Sequence, residues 1–283
     1  MICSCHRPPR IDPPGKLAGV LLLACSVGAF GTRRASALPA SSQSSTPSHL
    51  RSAMDSTDRV GTISPGDNRL RPRRVAERTD TIALLVTPRG GAESVHATLI
   101  RRVARVTTGR DKILRETQRY QFADGSTSDD TLDVRASTLA PVRYFSKNRT
   151  GSFDVRIDGA DIDGWQIDSL GARQVVQTRA KAPFFVSIMS EAFAAAFPFD
   201  SGARLRLPLA NPPSPDVRTV EFRAGGVDTV NSDHGRIVCQ VITGPGETTN
   251  WIARSDGHLA RLRWTLPNGT TIWKLPARDA ALR

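Results

Sequence analysis

From Asp80 onward the chain alternates apolar and polar residues over short stretches separated by turn residues. Phe153, Val155 and Ile157 alternate with Asp154, Arg156 and Asp158, and Leu205, Leu207 and Leu209 alternate with Arg204 and Arg206. Val220 and Phe222 stand in the same way between Thr219, Glu221 and Arg223. A period of two is the pattern of a half-buried β-strand, and the unbroken apolar run from Ile82 to Val86 reads as a fully buried one. Gly90-Gly91, Asp124-Gly125, Asp163-Gly164, Gly225-Gly226, Asp256-Gly257 and Asn268-Gly269 punctuate these runs. The Asp-Gly and Asn-Gly pairs predict tight type I′ hairpins, in which both central residues take positive φ. The clearest part is a four-strand meander predicted over Ile237–Ile242, Thr248–Ala253, Leu259–Leu266 and Thr271–Leu275. Its third strand turns Leu262, Trp264 and Leu266 to one face and Arg261 and Arg263 to the other.

One segment has a different period. Between Pro183 and Phe197, the residues Phe185, Met189, Phe193 and Phe197 recur at intervals of four and form a continuous apolar stripe on one helical face. Pro183 suits a first helical turn and Pro198 a stop. The fold class that follows is mainly β. A single antiparallel, strongly curved sheet forms an open or partial barrel, with one apolar helix packed on its concave face.

Ahead of Asp80 the periodicity is lost. Arg7, Arg10 and Lys16 precede the uncharged run Leu17–Gly31, which predicts an export signal over residues 1–31. That run is shorter than the ~20 apolar residues of a spanning helix. Leu22-Leu-Ala-Cys25 resembles a lipobox, which makes Cys25 a candidate lipidation site. Val27-Gly-Ala29 and Ala35-Ser-Ala37 offer ordinary cleavage instead, and both routes stay open. Residues 32–79, rich in Ser, Pro, Ala and Arg, predict a disordered tether, leaving residues 80–277 as the β-rich domain.

Charge sharpens this division. Over 283 residues, 39 Lys+Arg stand against 27 Asp+Glu, a net +12. Twelve basic and five acidic residues precede Asp80, so +7 of that total lies in the signal and tether and +5 in the domain. The excess therefore suits export and contact of the tether with an anionic membrane surface. Arg101, Arg102 and Arg105 share one predicted strand, but no aromatic RNP-type strand, helix-turn-helix or zinc module accompanies them, so nucleic acid is not expected as a partner.

Catalytic patterns are few. No G-x-G-x-x-G, P-loop, H-E-x-x-H, G-x-S-x-G or EF-hand sequence occurs. Ser232-Asp-His234 has the residue types of a triad, but sequence neighbours do not generally reach triad geometry, and a polar loop is expected. Asp158, Asp161 and Asp163 lack the twelve-residue loop and closing Glu of a calcium site and read as solvated turn residues. Past the signal only Cys239 remains, set in the β-type run Ile237–Ile242, so it reads as a small core residue and excludes a cysteine-based zinc cluster. No enzyme activity, cofactor or metal is expected.

The segments Val217–Val230, Arg236–Ile242 and Asn250–Gly269 resemble an uncharacterised family of bacterial envelope proteins, a domain of unknown function. Ser137–Val142 and Phe197–Gly202 look like its recurring structural segments. That family is similar in architecture to the LolA/LolB-like periplasmic lipoprotein carriers, incomplete antiparallel barrels with a helical lid over a hydrophobic cavity. The resemblance implies no catalytic residues. It implies a periplasmic or outer-membrane protein that binds a lipid or other apolar small molecule, with Phe185, Met189, Phe193, Trp251 and Trp264 as candidate contacts. An envelope interaction module without a small ligand is the alternative, and a hydrolase of envelope polymers a third. The oligomeric state stays open.

Overall fold

The β-type alternation is realised in strands of up to 16 residues, joined mostly by short turns. The computed structural model describes residues 61–199, 202–233 and 235–280. The export signal with Cys25, the tether up to residue 60 and His234 lie outside the described residues. In chain order the elements are β1 (Gly61–Thr62), β2 (Arg78–Thr87), β3 (Ser94–Thr108), β4 (Asp111–Phe122), β5 (Thr127–Arg135), β6 (Pro141–Asn148), β7 (Gly151–Asp158), β8 (Asp161–Ile167) and β9 (Arg173–Arg179). There follow β10 (Phe185–Val186), helix α1 (Ser190–Ala196), β11 (Arg204–Ala210), β12 (Val217–Ser232), β13 (Gly235–Gly244), β14 (Thr248–Ala253), β15 (Leu259–Thr265), β16 (Thr271–Pro276) and the single turn α2 (Ala277–Ala280).

All strands belong to one sheet, in the order β1-β11-β12-β13-β14-β15-β16-β2-β3-β4-β5-β6-β7-β8-β9, with β10 beside β11. Two meanders, β2 to β9 and β11 to β16, are therefore joined where β16 returns to pair antiparallel with β2. The sheet is antiparallel except at one edge, where β1 and β10 each pair parallel with β11. At the other end β9 has a neighbour on one side only among the described residues, so the sheet is not closed. The strands of the predicted C-terminal meander appear with ends shifted by no more than two residues.

The turns depart from expectation in two ways. Positive φ at Asp124-Gly125, Asp256-Gly257 and Asn268-Gly269 is confined to the glycines, so these are not type I′ turns. The preceding residue instead uses its side chain: Asp124 Oδ1 accepts from the Ser126 amide at 2.9 Å and Asn268 Oδ1 from the Thr270 amide at 2.9 Å. Asp163-Gly164 and Gly225-Gly226 are not turns at all. Gly164 lies inside β8, where a Cβ would collide with the Asp154 carbonyl oxygen, so glycine is required by the close approach of β7. Gly225-Gly226 forms a bulge in β12, where both carbonyls accept from Gln240 Nε2, at 2.6 and 3.1 Å.

The predicted helix is shorter than its stripe. Phe185–Val186 pair with Leu209–Ala210, Ser187–Met189 make a 3-10 turn, and only Ser190–Ala196 are α-helical. Aromatic and β-branched residues favour extended structure, and the unpaired rim of β11 supplies partners for it. A seven-residue helix is not stable alone. It is held by burial of Ala192, Phe193, Ala194, Ala195 and Ala196 and by the Arg71 amide, which donates to the Ala196 carbonyl at 2.8 Å.

The domain boundary also moves. Residues 61–79, expected as tether, belong to the fold: Ile63, Leu70 and Val75 are buried in the main core. The Ile63 amide donates to the Arg206 carbonyl and the Gly66 amide to the Thr138 carbonyl, both at 2.9 Å. Arginines between these anchors stay at the surface or cover it. Arg69 pairs with Asp67 at 2.6 Å, and the Arg74 guanidinium lies 3.5 Å over the Phe199 ring.

Candidate functional site

The face of the sheet under α1 carries the main core, and it holds charge as well as hydrocarbon. On β3, Arg101 lies on the same face as Leu99 and Val103, two residues away on either side, and is buried with them. Arg102 takes the opposite face, so the arginine trio seen in the sequence is split rather than gathered. Arg101 Nε donates to Glu116 Oε1 on β4 at 2.7 Å, and Gln118 Nε2 donates to the same oxygen at 2.7 Å. Tyr120 OH continues the chain by donating to Gln118 Oε1 at 2.7 Å.

Glu191 enters from α1 above. Lys274 Nζ on β16 donates to its Oε1 at 2.7 Å, and Arg101 Nη1 lies 3.4 Å from its Oε2. Two cations and two carboxylates thus clamp the helix to the centre of the sheet, where β16, β2 and β3 run side by side. Burial works against the charge of Glu191, but Lys274 and Arg101 outweigh it and hold the carboxyl below its usual range. Burial likewise opposes the charge on Arg101, and Glu116 and Glu191 overcome that penalty and hold it above its ordinary value. The second oxygen of Glu116 accepts no hydrogen bond among the described residues. The cavity that borders this cluster is lined by Arg78, Arg101, Val103, Glu191, Ala192 and His258, among others, and measures about 10 Å³. That is room for about one water.

A second polar group sits beside the first. Asp130 on β5, the register partner of Gln118, accepts from Tyr144 OH at 3.1 Å. Burial pushes its carboxyl up to about 6, against the opposing hydrogen bonds from Ser146 and Tyr144. A raised acid binds its proton in the folded state while the unfolded chain has already released it, so folding loses stability as pH rises from about 4 to about 6. Asp130→Asn is accordingly expected to stabilise the domain by about 1–3 kcal/mol at pH 7.5 and by nothing at pH 3.5. Urea unfolding at the two pH values checks this, and equal effects at both would refute it.

The five residues expected to touch an apolar ligand do not converge. Phe185, Met189 and Phe193 are enclosed in the main core, with the Phe185 and Phe193 rings edge to face at 4.7 Å. Trp264 lies on the same side of the sheet at the end of β15, opposite Ile272 and next to the Gly246 turn. Trp251 is on the other side. It stacks 6.3 Å from Trp273, its Nε1 donates to Asp228 Oδ2 at 2.8 Å, and Arg261 lies 5.8 Å from both rings. Cys239 is buried on that side against Val230 and Ala260, and burial pushes its thiol up to about 11, so it is protonated at neutral pH. Asp161, one of the three clustered aspartates, is paired with Arg179 at 2.7 Å.

No curated protein matches the chain. Two solved structures do. One is a β-barrel-like protein of a domain of unknown function, DUF1849, from Brucella abortus: it is 9% identical, covers 70% of this chain and 97% of its own, and has a TM-score of 0.41. The other is the hypothetical lipoprotein YmcC from Escherichia coli, 10% identical over 72% of this chain and 89% of its own, with a TM-score of 0.24. The match that places the chain is to a sequence family. Residues 96–272 fit the model of DUF3108, and the chain belongs to this family of proteins of unknown function.

Proposed function

We propose that this protein is an exported, non-enzymatic interaction module of the bacterial envelope, with a half-barrel that serves as a filled scaffold. The curl of the sheet is inferred from its core. From β11 to β9 a flat sheet would be about 60 Å wide, and α1 is about 10 Å long, far too short to cover it. Yet Leu205, Leu207 and Phe222 at one end and Ile162 and Val176 at the other belong to a single cluster of buried residues. A sheet that bends around the helix accounts for this, and the bulges in β3, β6, β12 and β15 supply the bend.

The observation that carries the scaffold reading over a lipid carrier is the enclosure of Phe185, Met189 and Phe193 in the main core, beside a cavity at Glu191 of only about 10 Å³. Small-molecule pockets run to about 300–1,000 Å³. The ring faces expected to line such a pocket are packed against each other instead, and the charged clamp occupies the centre of the face. Export and envelope location rest on the residue 1–31 signal pattern. Native mass spectrometry of the protein purified from its own envelope, together with titration of a fluorescent fatty acid, tests the reading. No co-purifying lipid and no saturable uptake are expected. One equivalent of bound fatty acid would establish the carrier and overturn the scaffold.

A further inference from the structure

The two edges of the sheet are treated differently. The β11 edge is covered along its length by two short parallel strands, β1 at Leu205–Arg206 and β10 at Leu209–Ala210. At the opposite edge β9 is bare among the described residues. Its pairing with β8 runs in unbroken register from Asp161↔Arg179 to Ile167↔Arg173, without a bulge, and its sequence has no proline or lysine. Of the usual devices that blunt an edge strand, β9 carries only charge, as Arg173 and Arg179 at its two ends.

The direction of its backbone groups follows from the bonds at its two ends. The Asp168 amide donates to the Ala172 carbonyl and the Ala180 amide to the Ala160 carbonyl. Even-numbered residues of the strand therefore bond to β8. By the alternation of an antiparallel ladder, Arg173, Val175, Gln177 and Arg179 turn their N–H and C=O groups to the open side. Val175 on this strand is 85% exposed, and Leu170 in the turn that leads into it is 91% exposed, the two most exposed large apolar residues in the described chain.

Resting on the interaction-module reading, we infer that β9 is a docking edge for an extended acidic-ended strand of another envelope protein, which adds to the sheet by backbone pairing. Charge selects that occupant. Arg173 and Arg179 stand at the two ends of the open row, so residues facing them across a new ladder are favoured as Asp or Glu, with an apolar residue facing Val175. A second copy paired over the full length of β9 is disfavoured for the same reason. An antiparallel β9–β9 pair centred on Val176 sets Arg173 opposite Arg179, and like charges directly opposite destabilise a ladder. Arg179 holds Asp161 in an exposed pair, and Arg173 lies 5.0 Å over the Trp165 ring. Exposed pairs of this kind are worth little and yield to a ladder partner.

The probe is a blocked, labelled peptide Glu-Thr-Val-Thr-Val-Thr-Glu, with the same peptide ending in lysines as control, read by fluorescence anisotropy and amide hydrogen exchange. The acidic-ended peptide is expected to bind at least tenfold tighter than the lysine-ended one, and to slow exchange at Arg173, Val175, Gln177 and Arg179. Val175→Pro removes one open-side N–H and no bond to β8, so the fold survives while binding falls at least tenfold. The double variant Arg173→Glu/Arg179→Glu is expected to reverse the peptide preference. Absence of binding, equal binding of both peptides, or a dimer in sedimentation that Val175→Pro abolishes would each overturn the inference. The fatty-acid titration reports separately on the scaffold reading, so failure of the edge and failure of the module are distinguishable.

Discussion

Glu191→Leu is expected to lower unfolding stability by about 3–5 kcal/mol, because it removes one partner of a charge cluster packed under the helix and leaves the sheet cations under-compensated. The residue sits at 2% exposure, with Lys274 Nζ at 2.7 Å and Arg101 Nη1 at 3.4 Å. Arg101 keeps Glu116 as a partner, which limits the damage on its side. The double variant Glu191→Leu/Lys274→Leu removes both members of the pair and fills the space with hydrocarbon. It should return to within about 1–2 kcal/mol of the parent, since buried pairs and well-packed apolar replacements are often near balance. Urea midpoints at unchanged slope measure both. If the single variant costs no more than the double, the pair is not a clamp.

The same residue fixes an acid limb. Its carboxyl is held below the ordinary value of 4.5, so its contribution is present above that pH and is lost as pH falls through the depressed value in the folded state. This is opposite in sign to Asp130, whose raised carboxyl costs stability as pH rises from about 4 to about 6. The two together favour a stability maximum on the mildly acid side.

What the sequence discloses and what it hides divide along physical lines. Strands such as Gly151–Asp158 and Arg204–Ala210 are readable because a two-residue period and flanking turn residues are local properties. Gly164 misled because glycine marks both turns and close backbone approach, and only the neighbouring strand decides between them. Ile63, Leu70 and Val75 were hidden because three isolated apolar residues in a Ser/Pro/Arg-rich stretch show no period, although each is buried. Arg101, Glu116, Glu191 and Lys274 meet only because β16 pairs with β2 and β2 with β3, an order no local pattern encodes. One signal was there to be used. Glu191 is the single charge in the apolar run from Pro183 to Phe197, and a lone charge in such a run demands a buried partner.

Phe193→Ala separates a core residue from a ligand contact. The ring is almost wholly buried and meets Phe185 edge to face at 4.7 Å, within the cluster that ties α1 to the sheet. Removing a packed phenyl ring costs its transfer free energy plus the cavity left behind, about 3–5 kcal/mol. A ring that lined an open ligand pocket would cost much less, because its exposed face makes no contacts to lose, and the loss would appear in ligand uptake. Phe193→Leu keeps most of the volume and is expected to cost about 1–2 kcal/mol, which shows that the effect scales with the space emptied. The short helix makes the site sensitive: seven residues have no stability of their own, so loosening Phe193 loosens the seat of Glu191 as well. The Phe193→Ala and Glu191→Leu losses should therefore add to less than their sum in the double variant. Full additivity, or a cost below about 1 kcal/mol for Phe193→Ala, would point to an open, ligand-sized space under the helix and against the filled scaffold.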